Sequence, residues 1–153
     1  MWIPPEVKEP VMYNAPTMKQ TGYFGAVRPA DGTFFSRNSD IFNGKSFEAF
    51  LKRLVRRRKK GHCMVLVLDN SRYHHARLLK PFLRRNRRIL RLVFLPPYSP
   101  DLNPIERVWK LTRRLCVHNR FFPLLRGLVR IVNEKFSTWS APNESLKRLC
   151  AVI

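Results

Sequence analysis

Two carboxylates stand out because of what surrounds them. Asp69 ends the apolar run His62–Leu68, HCMVLVL, and Glu106 closes the proline-punctuated stretch LPPYSPDLNPIE that begins at Leu95. An acidic group at the carboxyl end of an apolar strand is costly unless it is paired or bound to a cation, and in open α/β sheets that end carries the ligand crevice. Carboxylates are hard oxygen donors, so the chemistry they suit is binding Mg2+ or Mn2+ and acting on phosphates. Each also has an ordinary reading. Asp69-Asn70-Ser71 suits a turn whose Asp caps the next segment, and Glu106, three residues after Asn103, suits the reciprocal half of a capping box.

The elements that must hold these groups follow from pattern. HCMVLVL is near-continuously apolar, as expected of a parallel strand buried on both faces, and Leu90–Leu95 is a second such run, ended by Pro96 and Pro97. Asn103 is a good N-cap, Pro104 suits the first helical position, and Ile105, Val108, Trp109, Leu115 and Cys116 form one helical face, with Trp109 as a core anchor. Gly22–Val27 and Gly32–Arg37 predict a hairpin across Pro29-Ala30-Asp31-Gly32. Phe47, Phe50, Leu51, Leu54 and Val55 mark an amphipathic helix that Ser46 caps and Gly61 ends. A helix over Arg72–Asn86 should be kinked or broken at Pro81, and a last helix spans Leu124–Trp139. The N-terminal part is proline-bearing, with a short strand near Val11–Tyr13.

Charge and composition bound the function. The chain has 153 residues, a formal charge of +20 and 44% hydrophobic content, enough for one domain with its own core and a field that attracts polyanions. Nucleic acid, bound in a salt-sensitive and sequence-independent way, is the expected partner. Basic residues cluster at Lys52–Lys60 and Arg84–Arg88, where helix dipoles explain part of the pattern, and Arg107, Lys110, Arg113 and Arg114 follow Glu106 closely enough to hold a DNA backbone. No apolar run approaches the roughly 18 residues of a membrane helix, and no signal-peptide order opens the chain, so a cytoplasmic protein is expected. Cys63, Cys116 and Cys150 lack metal spacing, and Cys63 and Cys116 read as reduced thiols on apolar faces.

LVLDNSRYHHA (Leu66–Ala76) followed by LPPYSPDLNPIERVWK (Leu95–Lys110) resembles the catalytic core of DDE transposases of bacterial insertion sequences related to the mariner superfamily. The similarity runs in coarse pattern from Trp2 to Phe136, and the short separation of Asp69 and Glu106 is similar to that between the second and third acidic residues of the group. The resemblance implies an α/β, RNase H-like (retroviral-integrase-like) mixed sheet with flanking helices. It implies Asp69 and Glu106 as catalytic and metal-binding residues, with carboxylates of the complete enzyme holding two Mg2+ or Mn2+ ions about 3.5–4 Å apart for in-line phosphoryl transfer. The implied partners are element-end and target DNA, and the implied place is the bacterial cytoplasm, at the nucleoid when DNA is bound.

His74 matches a histidine common in the family's pattern and, with Asn70, is a candidate support for the site; a helix-face His satisfied by backbone is its ordinary reading. The family's first catalytic Asp ends an earlier strand, upstream of a Trp-Pro-rich segment like Trp2-Ile3-Pro4-Pro5, and none of Asp31, Asp40 and Asp101 occupies a matching position. Residues 1–153 are therefore expected to be a single, partial catalytic domain, with an irregular segment at 1–21, a core at 22–139 and a tail at 140–153. The first, central strand is expected to be missing. Marginal stability, self-association or dependence on an upstream transposase segment should follow from the gap. Two functions fit: a transposase domain for metal-dependent DNA cleavage and strand transfer, or a catalytically inactive, basic nucleic-acid-binding fragment.

Overall fold

The computed structural model describes residues 21–97 and 102–151. Val11–Tyr13 and Asp101 lie outside them. The chain begins with strands β1 (Gly22–Arg28) and β2 (Thr33–Ser39), an antiparallel hairpin in the register Val27↔Phe34 and Ala26↔Phe35. Alternation along the hairpin sends Phe24 toward one core and Phe34 toward another, so both of its faces are covered. Gly32, at φ 72°, makes the turn, and a Cβ there would stand 2.0 Å from the Asn143 carbonyl oxygen. Only glycine fits that backbone and that approach.

Helix α1 (Gly44–Arg56) carries Phe47, Phe50, Leu51 and Leu54 inward at helical spacing. Its N-cap is Asn43 rather than Ser46: the Ser46 N–H donates to Asn43 Oδ1 at 3.0 Å, and the Asn43 N–H donates to Ser46 Oγ at 3.0 Å. Ser46 is thus the returning arm of a capping box. Gly61, at φ 83°, lies in the loop beyond the helix and does not end it.

Strands β3 (Met64–Leu68) and β4 (Leu90–Phe94) pair in parallel, with Met64↔Leu90 and Leu68↔Phe94 at the two ends of the register. Between them a single 3-10 turn, Arg72–His75, precedes helix α2 (Leu79–Arg85). The expected long helix is indeed broken, but the break falls at residues 76–78. Pro81 sits in the first turn of α2, where a missing N–H has no intrahelical partner to lose.

The β3 strand is not buried on both faces. Leu66 and Leu68 pack against the α1 and α2 core, whereas Val65 and Val67 are 57% and 45% exposed, because no described element covers the second face of the β3–β4 pair. Cys63, ahead of the strand, is exposed rather than on an apolar face.

Helix α3 (Pro104–Thr112) runs into one π-helical turn, Arg113–Val117, closed by the His118 N–H on the Arg113 carbonyl at 2.9 Å. The wider turn delays the register by one residue. Cys116 is consequently buried while Leu115, expected on the inner face, is 39% exposed. Helix α4 (Leu125–Thr138) follows, with Val132 and Phe136 buried.

The stretch expected to be a tail forms helix α5 (Glu144–Cys150), capped by Asn143, with Leu146 and Cys150 fully buried. Its brevity, two turns with two buried side chains, hid it from periodicity. The molecule is a mixed α/β structure whose strands form two separate pairs, β1–β2 and β3–β4. No helix among the described residues is long and apolar enough to cross a membrane.

Candidate active site

Asp69 is the residue at which β3 stops, and the stop is built by hydrogen bonds across to β4. The Leu95 N–H donates to the Leu68 carbonyl at 2.8 Å, and Asn70 Nδ2 donates to the Leu95 carbonyl at 2.6 Å. Asn70 therefore clamps the start of the proline stretch to the end of β3. The side chain of Asp69 folds into an Asx turn, Oδ1 accepting the Ser71 N–H at 3.0 Å. The turn reading of Asp69 is thus realised, with the residue at the carboxyl end of β3.

His74 sits beneath that turn, only 8% exposed, between Phe47 and Tyr73. Its Nδ1 lies 3.0 Å from the Asp69 backbone oxygen and 3.0 Å from Asp69 Oδ1. Both neighbours accept, so Nδ1 carries the proton. Burial pushes the His74 pKa below its ordinary value, against the pull of Asp69, so the contact joins a neutral imidazole to a carboxylate and is not an ion pair. Asp69 itself is half-exposed: partial burial raises its pKa, but the hydrogen bonds from Ser71 and the nearby His74 outweigh that, and the net shift is downward. The carboxylate is held ionised.

Glu106 arrives on the first turn of α3, at the third helical position after the Asn103 cap. Asn103 Oδ1 accepts the Ile105 N–H at 3.4 Å, a long bond, and Pro104 occupies the first position as its fixed φ favours. Among the described residues the Glu106 carboxylate takes no hydrogen bond or ion pair, so the reciprocal capping bond is not made.

Asp69, His74, Asn103 and Glu106 line one cleft of about 360 Å³. Its walls are aromatic and apolar, with Phe47 and Phe50 from α1 on one side and Ile105 and Trp109 from α3 on the other. Trp109 is the expected core anchor, edge-on to Phe34 at 5.7 Å and so close to β1 that a Cβ on Gly25 would meet it at 2.5 Å. An ionised Asp69 and an uncommitted Glu106 are the oxygen donors that a hard divalent cation selects. Among the described residues no group of three His, Cys, Asp or Glu side chains is placed to hold a metal ion. Asp31 is tied to Arg28 in the hairpin turn, and Asp40 accepts from Thr21, so neither belongs to the cleft.

The basic residues after Glu106 divide. Arg107 Nη1 donates to the Leu149 carbonyl at 3.1 Å and to the Ala151 carbonyl at 2.9 Å, capping the end of α5. Lys110, Arg113 and Arg114 are exposed. The role of Arg107 was invisible in the sequence because α5 was.

The chain belongs to the DDE superfamily endonucleases, whose family model matches residues 1–128. Two curated relatives are similar to it. One is the uncharacterized protein y4pE/y4sA of Sinorhizobium fredii, 34% identical over 99 residues, which cover 65% of this chain and 70% of that protein. The other is the insertion element IS630 uncharacterized 39 kDa protein of Shigella sonnei, 34% identical over 116 residues, which cover 76% of this chain and 34% of that protein. The aligned region is about a third of the insertion-element relative.

Proposed function

We propose that this chain is the catalytic region of an insertion-sequence transposase, acting by metal-dependent phosphoryl transfer on DNA. The observation that carries the reading is the convergence of Asp69 and Glu106, from two different elements, on one cleft. Asp69 and Glu106 would hold the Mg2+ or Mn2+, and His74 and Asn70 are positioning residues. When bound, the metal supplies Lewis-acid stabilisation of charge at the phosphate. His74 fixes the orientation of the Asp69 carboxylate through Nδ1–H, and Asn70 fixes where the loop to Glu106 departs. Lys110, Arg113 and Arg114 contact the DNA backbone, while Arg107 serves chiefly to dock α5.

The sheet supports an RNase H-like assignment: β2–β1 and β3–β4 are two pairs with a cleft between them, as in a mixed sheet lacking one central strand. A third carboxylate then comes from a further polypeptide segment, and the protein acts in the bacterial cytoplasm. The second reading, a basic nucleic-acid-binding protein without catalysis, is favoured by the absence of a three-ligand group among the described residues.

Nicking separates the two. With DNA carrying the sequences that flank the gene, Mg2+ or Mn2+ should support strand cleavage in the presence of a segment that supplies the third carboxylate, and Asp69→Asn and Glu106→Gln should each abolish it while salt-sensitive binding persists. Cleavage unchanged in both variants overturns the assignment. Binding without metal-dependent cleavage supports the second reading.

A further inference from the structure

Two basic clusters, separate in sequence, come together in the fold. Seven of the nine residues at 52–60 and four of the five at 84–88 are Lys or Arg, and no Asp or Glu stands at 49–68 or 70–100. The first cluster ends α1 and opens the loop to β3, and the second ends α2 and opens the loop to β4. Because β3 and β4 are parallel, with Met64 opposite Leu90, both loops lie at the end of the pair where the strands begin. The Met64 N–H, donating to the Ile89 carbonyl at 2.8 Å, ties the loops side by side. Asp69 lies at the other pole, beyond the five residues of β3 and so about 16 Å away.

Helix dipoles account for little of this charge. Two helix C-termini together carry the equivalent of about one negative charge, against eleven cations of which all but Arg58 are exposed. Among the described residues nine of the eleven side chains make no hydrogen bond or ion pair. Lys52 pairs with Glu48 at 2.7 Å, and Arg58 donates to the His62 carbonyl at 2.8 Å, which holds the first loop in shape. We infer that this pole binds the phosphate backbone of a DNA duplex independently of the cleft. Eight of the eleven cations are Arg, whose planar guanidinium takes a phosphate through two donors. No large apolar side chain at 52–62 or 79–91 is exposed, whereas a membrane surface calls for Trp, Phe or Leu beside the cations. Helices α1 and α2 are in contact, so the two rows stand about 8–10 Å apart, between the minor- and major-groove widths of about 6 and 12 Å. They therefore reach the two backbones that flank a groove, where a single strand offers one.

The inference needs neither metal nor cleavage, so its failure leaves the catalytic reading standing. The probe is a blunt DNA duplex of about ten base pairs, roughly 34 Å long and no longer than one domain is wide, so that one chain covers it. Calorimetric titration of the full chain at low salt should give two duplexes per chain, one at the pole and one at Lys110, Arg113 and Arg114. The pole variant carries Lys59→Gln, Lys60→Gln, Arg87→Gln and Arg88→Gln, all at exposed positions beyond the helix ends, where dipole effects have faded. It should bind one duplex, with an unchanged urea midpoint. In the unaltered chain the same duplex should slow amide hydrogen exchange at residues 57–63 and 86–89.

A pole variant that binds as many duplexes as the unaltered chain overturns the inference, and so does a lack of exchange protection in the two loops. Tighter binding of a single-stranded RNA of ten nucleotides, or of vesicles of phosphatidylserine and phosphatidylcholine, with loss of that binding in the variant, would assign the pole to that partner and overturn it too. One duplex per chain, lost in the pole variant, supports the inference and counts instead against the DNA contacts beside the cleft.

Discussion

His74 and Asp69 both hold folded-state pKa values below their ordinary ones, and the signs of the two shifts agree. For His74 burial is the main cause, and for Asp69 the hydrogen bonds from Ser71 and the proximity of His74 overcome the opposing effect of burial. A depressed folded pKa means that the unfolded chain takes up its proton first as pH falls, so stability is retained above the unfolded pKa and lost below it. For His74 that loss starts as pH drops through about 6.5, and for Asp69 below about 3.8. The urea midpoint should therefore decline as pH is lowered through about 6.5, and His74→Gln should flatten that part of the profile. An identical decline in the variant would place the titrating group elsewhere.

Arg107 offers a second test at this scale. Arg107→Ala leaves two carbonyls at the end of α5 without their donor and should cost about 1–3 kcal/mol of stability with little change in the salt dependence of DNA binding. Arg113→Ala and Arg114→Ala should do the reverse, each lowering the salt slope by about one with stability within about 0.5 kcal/mol.

At the scale of elements, what the sequence showed depended on how local the cause was. The hairpin, α1, β4, α3 and α4 follow from turn residues, caps and periodicity, each confined to a few neighbouring positions. Helix α5 did not show, because seven residues with two buried side chains give almost no periodic signal, and its place is fixed by distant partners. Those partners are the Gly32 turn, where the Asn143 N–H donates to the Asp31 carbonyl at 2.8 Å, and Arg107. The two-faced burial expected of HCMVLVL failed for a similar reason: composition says that a strand can be covered twice, but not whether the covering element is in place. Gly32→Ala tests the hairpin contact with α5. The positive φ and the 2.0 Å approach to Asn143 both oppose a methyl group, so a loss of about 1–3 kcal/mol is expected, with faster exchange of the α5 amides before those of α1. Uniform destabilisation across both helices would contradict the assignment of that turn to α5.

For the whole molecule, the +20 charge and the carboxylate cleft describe different parts of one task. In the proposed function the field gathers a polyanion without regard to sequence, while the two acidic groups standing against that field select a cation. Of the candidate site, the places of Asp69 at the end of β3, of Glu106 in the first turn of α3 and of the Asn103-Pro104 cap were legible because each follows a recognisable break in apolar pattern. The bonds of His74 and Asn70 to Asp69 and Leu95 were not, since they depend on the path of the chain between β3 and β4.

The proposed chemistry requires Asp69 and Glu106 to act on one ion. Mn2+ binding to the purified chain, followed by electron paramagnetic resonance, tests that without requiring DNA or a further segment. The prediction is saturable binding that Asp69→Asn and Glu106→Gln each weaken by at least about tenfold, the loss of roughly 1.4 kcal/mol or more. Binding of equal strength in the unaltered chain and in both variants would contradict it.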